Sequence, residues 1–409
     1  MNDRPHELKA AYPTVSRSRR LWMGITLGAL SAFGPLSIDM YLPSLPILTN
    51  DLHTSTSLAQ FSLTACLLGL AFGQLIAGSQ SDIRGRRIPL LIGLLSYTVS
   101  SFLCALSPSI GSLILLRLIQ GFAGSAGLAI SRAIVRDLYS GTEMIKFFSL
   151  LMLINGVGPI FAPIIGGQLL QLTSWRGVFL VLSLVGMIML LAVFFTLPET
   201  LLLQHRSQAG LSNTLATFRI LISDRVFMSY ALPQGLVMAA MFAYIAGSPF
   251  VIQNIFGASP QMFSLFFAIN GLGIIIAGQI TGRLAGRIDG IKLFLSGLVL
   301  ATLGGIGLLM MILLGAGLAE ILPALFIVVS SVGIVSTAGS ALAMENYGHS
   351  AGSASALLGL FSFVIGALVA PLVGLGGGNT AVPMGIVIAA SEISAILSYL
   401  ILKHRSFAH

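Results

Sequence analysis

Long apolar runs separated by short polar joints set the rhythm of this chain. Twelve runs are legible: 21–46, 58–80, 88–107, 110–134, 148–172 and 178–197, then 226–252, 262–281, 291–314, 321–344, 351–375 and 382–402. Each holds about 20 residues or more, enough at about 1.5 Å per residue to cross roughly 30 Å of hydrocarbon. The pattern therefore predicts an all-α membrane protein of twelve transmembrane helices. Its expected organisation is an N-terminal tail at 1–20, a six-helix half at 21–197, a polar central loop at 198–225, a second six-helix half at 226–402 and a short tail at 403–409.

A weak internal repeat agrees with two halves. Ala77-Gly78-Ser79-Gln80-Ser81-Asp82-Ile83-Arg84-Gly85-Arg86-Arg87 lies between the second and third runs. Ala277-Gly278-Gln279-Ile280-Thr281-Gly282-Arg283-Leu284-Ala285-Gly286-Arg287 stands at the equivalent place in the second half. Six-plus-six construction is a transporter architecture, with the substrate between the halves near the middle of the membrane.

Composition sharpens the reading. The 409 residues are 56% hydrophobic and 8% charged, against about 25% charged in soluble domains. The 46 glycines and 15 methionines suit closely packed membrane helices. All of the 21 lysines and arginines except Arg117 and Arg176 fall on one side of the predicted bundle, together with both tails. By the positive-inside rule that side is cytoplasmic, which predicts a multi-pass inner-membrane protein with both termini in the cytoplasm. The net charge of +8 then reflects contact with the inner leaflet of the lipid bilayer, and no nucleic-acid partner is expected. The first run is too long for a secretory signal and lacks a small-residue cleavage site, so it reads as an uncleaved anchor.

Chemistry concentrates at Pro35-Leu36-Ser37-Ile38-Asp39-Met40-Tyr41-Leu42-Pro43-Ser44-Leu45-Pro46. A carboxylate inside a span costs at least a few kcal/mol, so Asp39 is a functional candidate by default. Pro35, Pro43 and Pro46 each remove a backbone donor and interrupt the helical ladder. Arg117 lies about as far below the outer boundary as Asp39, roughly 10 Å by helical rise. The matched depths predict a pair. Burial and a neighbouring guanidinium act on a carboxyl in opposite directions, so small changes of hydration would switch its proton on and off. A fixed structural pair is the other reading.

Gln120, Asn155, Gln234 and Asn270 are polar positions within spans that bond either substrate or neighbouring helices. Tyr41, Met238, Met241, Phe242 and Tyr244 offer an adaptable apolar lining or ordinary core packing. Glu392, mid-span in the last run, reads as a hydrogen-bonded structural acid, with a second proton site as the rival. In the first repeat, Asp82 is placed to cap the third helix and Arg86 to reach Asp137 at the inner end of the fourth, a latch for a cytoplasmic gate. Gly156–Gly167 carries two prolines and four glycines, which bend a helix and thin its surface.

These residues also carry a resemblance. Gly78-x-x-x-Asp82-x-x-Gly85-Arg86-Arg87 resembles the loop signature of the major facilitator superfamily, and Arg117-x-x-Gln120-Gly121 resembles its helix-four signature. Gly158-Pro159-Ile160-Phe161-Ala162-Pro163-Ile164-Ile165-Gly166-Gly167 resembles the helix-five signature of its drug:proton antiporters. Trp175-Arg176 and Leu197-Pro198-Glu199-Thr200 match the usual flanks of helix six. Ser37-Ile38-Asp39-Met40-Tyr41-Leu42-Pro43 is similar to the helix-one signature of the bicyclomycin/chloramphenicol resistance (Bcr/CflA) family. The resemblance implies a proton-coupled multidrug efflux antiporter, working by alternating access as a monomer. Its partners would be small lipophilic drugs and protons, and Asp39 and Arg117 its coupling pair.

Other classes fit less well. A proton-coupled symporter importing a nutrient is the alternative, but a polar nutrient asks for more intramembrane charge than Asp39, Arg117 and Glu392. His6, His53, His205, His349, His404 and His409 fall in tails or loops, so no intramembrane metal or haem site is expected, and no enzyme. Cys66 and Cys104 lie in apolar runs and read as packing. No phosphate-binding loop sequence is present, so neither ATP nor another cofactor is expected.

Overall fold

The computed structural model describes residues 17–139, 141–206, 211–345, 347 and 351–406. The first span is built from three pieces: α1 (Arg17–Ser31), α2 (Phe33–Asp39) and α3 (Leu45–Asp51), with a 3₁₀ turn at Leu42–Ser44. The rest of the first half is α4 (Thr56–Arg84), α5 (Arg87–Ala105), α6 (Ile110–Leu138), α7 (Gly141–Leu172) and α8 (Trp175–Thr196). A short helix, α9 (Leu211–Ser223), leads to α10 (Arg225–Phe250), α11 (Pro260–Leu284), α12 (Gly290–Leu313), α13 (Leu318–Met344), α14 (Ala351–Val369) and α15 (Val382–Ser406). Eleven of the resulting spans are long and apolar enough to cross a membrane, and α7 contains a twelfth apolar stretch, Gly156–Leu172. An even number of crossings per half puts Arg17, Ser406 and the central segment on one face, here the terminal face; the loops after α3 and α10 lie on the far face.

Burial sets α10 and the first span apart from the other spans as the inner layer of the bundle. In their most apolar windows, α10 is 89% buried and the first span 72%, against 39% for α8 and α15. An outer-layer helix can present leucine and phenylalanine to lipid, whereas an inner one must satisfy neighbours on every side. Small residues permit this. A Cβ on Gly121 of α6 would run into the Cys66 carbonyl of α4, and one on Gly69 would meet the backbone of Leu118 and Phe122. These two helices cross closely, backbone against backbone.

The halves meet along two seams. One is α7 against α11; the other is α4 against α14 and the 3₁₀ turn Ala370–Gly376. The central segment is not all loop: α9 buries Phe218 and Leu221 against α10 and α14 and turns Leu215 and Ile220 outward.

Candidate functional site

The local sequence dictates the break around Asp39. Pro35 has no N–H to give the Ser31 carbonyl, and the helix interrupts at Ala32. Pro43 and Pro46 sit in the opening positions of the 3₁₀ turn and of α3, where a missing donor costs nothing. Asp39 is thereby the last residue of a short helix, 5% exposed, in the inner layer of the bundle.

Arg117 is completely buried but not beside Asp39. Its Nη1 donates to Gln120 Oε1 at 2.6 Å, and Gln120 Nε2 donates in turn to Ser101 Oγ at 2.7 Å. The guanidinium carbon stands 4.9 Å from the Tyr41 ring centre and 5.6 Å from that of Phe179. Ring faces thus supply much of the electrostatic compensation for the cation. Nε and the second terminal nitrogen have no hydrogen-bond partner. Among the described residues no ion pair joins Arg117 to Asp39, contrary to the pairing expected from depth. The reason is angular. Arg117 packs on Tyr41, and Asp39 is two residues before it, about 200° away around a helix of 3.6 residues per turn.

Tyr41 and Gln120 therefore belong to the interior of the first half; the Tyr41 hydroxyl also lies 3.0 Å from Ser62 Oγ. In the second half, Asn270 Nδ2 donates to the Tyr244 hydroxyl at 2.9 Å, and Gln234 Nε2 to Ser340 Oγ at 3.2 Å. Phe242 packs 5.9 Å from the Phe363 ring, and Met238 is half-buried against the core. Asn155 is on α7, but its side chain lies outside the described residues. Glu392 is fully buried, and neither carboxyl oxygen has a hydrogen-bond partner, so the bonded acid expected there is not formed.

On the terminal face, Arg86 gathers the latch residues. Its Nε donates to Asp137 Oδ2 at 2.7 Å, and Nη1 reaches Ser81 Oγ at 2.8 Å and the Asp82 carboxylate. Burial alone would push the guanidinium down, but Asp137 and Asp82 outweigh it and hold Arg86 above its ordinary range. Asp82 thus pairs with Arg86 instead of capping α5. The cap comes from Glu199, which accepts from the backbone N–H of Arg86 at 2.7 Å and of Arg87 at 3.1 Å. Gly85 makes this possible: its φ is +94°, and a Cβ there would collide with Glu199 and Arg206. Gly78 has open space around it.

The glycine-proline run of α7 has two working faces. Gly158 lies against Pro35, and Gly166 against the Met40 backbone, so one face receives the broken first span. The other meets the second half: Ser264 Oγ donates to the Pro163 carbonyl at 2.7 Å, and Gln261 Nε2 to the Gly167 carbonyl at 2.7 Å. Pro159 lies within the helix between these contacts. Two further bonds cross between the halves on the far side, from Gln60 Nε2 to the Ala246 carbonyl at 3.0 Å and from Gln253 Nε2 to the Pro43 carbonyl at 3.3 Å. Sequence reasoning missed these glutamines. Their one signal is position: amides near the far-side ends of helices.

Comparisons with known proteins agree on one family. The sequence profile of the Major Facilitator Superfamily matches residues 22–371. YdgK of Bacillus subtilis, an MFS-type transporter, is 46% identical over 382 residues, which cover 93% of this chain and 95% of its own. A bicyclomycin resistance protein homolog of Haemophilus influenzae is 30% identical over 382 residues, 93% of this chain and 96% of its own. Among solved structures, the nucleoside transporter NupG superposes with a TM-score of 0.74 at 14% identity, over 93% of this chain and 99% of that one.

Proposed function

Because the chain belongs to the Major Facilitator Superfamily, a family of membrane transporters and not of enzymes, we propose that it is a proton-coupled multidrug antiporter of the Bcr/CflA type. It exports small lipophilic compounds, of the bicyclomycin or chloramphenicol kind, across the inner membrane. The terminal face is cytoplasmic in this reading, with the positive residues of the latch and tails against the inner leaflet.

One observation carries the proposal: a carboxyl on a broken helix, buried in the inner layer, with no ion pair among the described residues. Asp39 is the proton-binding group. It trades its proton for substrate on the cytoplasmic side and regains it from the outside. Arg117 is a fixed cation in the wall of the first half, anchored by Gln120 and two rings. Gln234, Met238, Phe242 and Asn270 lie on the second-half helices that face the substrate path. The relative named for bicyclomycin resistance, aligned over 93% of this chain, supports the substrate class.

The test is uptake of bicyclomycin and chloramphenicol into inside-out vesicles with an imposed pH gradient. Uptake is expected with the interior acid and is lost in Asp39→Asn. Full gradient-driven uptake by Asp39→Asn would overturn the assignment, and gradient-driven movement in the opposite direction would establish a symporter.

A further inference from the structure

The segment between the halves ends without slack. Helix α9 stops at Ser223, and Asp224 is already the cap of α10, accepting from the N–H groups of Val226 and Phe227. The apolar span begins at the next residue, Arg225. The end of α9 is therefore held at the membrane boundary on the terminal face. Nor does the helix run off into water. Phe218 and Leu221 share an apolar cluster with Phe227 and Ala231 of α10 and with Ala354 and Leu357 of α14, all within the first two turns of those helices. A helix of 13 residues, about 20 Å long, thus lies across the terminal-face ends of two spans.

Successive positions on α9 are about 100° apart, and this separates its sides. Phe218 and Leu221 are about 60° from each other and make the docked face. Ile222 and Leu215, about 40° and 60° beyond Phe218, extend the apolar arc on one flank, and both are exposed. Arg219 borders them at about 100°. Ile220 is the most exposed of the three apolar residues at 67%, yet it stands on the side away from the docked face, about 200° from Phe218. Val226, in the first turn of α10, is a further exposed apolar residue at the boundary. Arg219 and Arg225 are exposed and make no ion pair among the described residues. The acid beside them, Asp224, is taken up by its cap and by Tyr347.

We propose that α9 is a membrane-surface anchor: its Leu215–Ile222 flank enters the leaflet on the terminal face, and Arg219 and Arg225 bind the headgroups of anionic phospholipid. The occupant is lipid because an apolar flank bordered by free cations stands where the span itself begins, at the level where acyl chains give way to headgroups. The cations select the lipid, since each basic side chain near the surface draws anionic headgroups. Arginine reaches them over its own apolar stem while its neighbours stay in the hydrocarbon. Ile220 is left on the side of the water. The anchor holds the terminal-face ends of α10 and α14 at the leaflet. The inference needs only a membrane-spanning chain; the cargo and direction of transport do not enter it.

The experiment uses the purified full chain in phosphatidylcholine vesicles, with Cys66 and Cys104 replaced by alanine. Ile222→Cys, Leu215→Cys and Ile220→Cys each carry a bimane fluorophore. The quencher is phosphatidylglycerol or phosphatidylcholine with a nitroxide near the carbonyl end of one acyl chain. Strong quenching is expected at 222 and 215 and little at 220. At equal mole fraction the labelled phosphatidylglycerol is expected to occupy the site about fivefold more readily than the labelled phosphatidylcholine, the factor for one arginine at a surface. Arg219→Gln with Arg225→Gln should bring that preference close to one. Positions 222 and 215 read the same flank, so either carries the test should the other label unseat the helix. Quenching as strong at 220 as at 222 and 215 overturns the inference, and so does a flank that neither lipid quenches, which would mean that protein covers it. A preference for phosphatidylglycerol that is absent, or that survives loss of both arginines, overturns it as well.

Discussion

A guanidinium held between two rings and a glutamine has no equivalent among other side chains. Lysine keeps the charge of Arg117 but lacks the flat face that stacks on Tyr41 and Phe179. Arg117→Lys is expected to lower drug transport by about tenfold or more, taking the stacked cation and its charge-assisted bond as roughly 1.5–3 kcal/mol together; the amount in the membrane, checked by immunoblot, should fall little. Glu392 makes the opposite case. It packs against Gly305 with no partner on either oxygen. An amide of the same shape removes the prospect of an unpaired charge in mid-span. Glu392→Gln should leave transport and its proton dependence unchanged, measured in vesicles against a pH series. Both residues announce themselves in the sequence as charges in apolar runs. Depth is also legible, because helical rise is constant. Azimuth is not, and the expected Asp39–Arg117 contact depended on azimuth, which only packed neighbours such as Tyr41 and Tyr97 reveal.

At the scale of the element, the chain punctuates its helices with caps that stability measurements can reach. Glu199 accepts four backbone donors, from Arg86, Arg87, Thr200 and Leu201. Glu199→Ala is expected to cost about 1–2 kcal/mol, the usual worth of a lost cap, read as a lower midpoint in detergent unfolding. The cap was invisible in the sequence because a carboxylate more than a hundred residues away supplies it. Asp82, the local candidate, is drawn off by Arg86. The helix α9 was legible and missed: Leu215, Phe218 and Leu221 or Ile222 recur at helical spacing within a segment that reads as polar overall. A second clasp follows α9. Asp224 accepts from the N–H groups of Val226 and Phe227. Partial burial pushes its carboxyl up, but the hydrogen bonds from Tyr347 and these amides outweigh that and leave it below the ordinary range. Tyr347 moves the other way, pushed up to about 12 by burial and by Asp224. A depressed acid stabilises above its unfolded value and loses that stabilisation as pH falls through its folded value. A raised phenol stabilises below pH 10, and the contribution is lost as pH climbs from 10 towards about 12. Tyr347→Phe should flatten the alkaline limb of stability against pH and, because it also removes one of the bonds that depress Asp224, shrink the acid limb.

For the whole molecule, the two halves are joined on the far side by side chains donating to main-chain carbonyls: Gln60 to Ala246, Gln253 to Pro43, Gln261 to Gly167 and Ser264 to Pro163. These bonds join bodies that must part in alternating access, so their strength sets an equilibrium more than a fold. Each is worth about 1 kcal/mol net, and 1.4 kcal/mol is a factor of about ten in a population. Gln261→Ala with Ser264→Ala should therefore raise the far-open fraction by roughly tenfold or more, without a comparable loss of stability within either half. A cysteine at Ser57, where α4 meets Gly374 across the seam, reports this directly once Cys66 and Cys104 are replaced. Its labelling by a membrane-impermeant maleimide should quicken by the same factor, and added substrate should then accelerate it less than in the parent, because part of the opening work has already been done. Unchanged labelling would mean that the seam is held by apolar packing of α4 on α14 and of α7 on α11, with the glutamines serving only to satisfy carbonyls exposed where prolines and glycines break the helices.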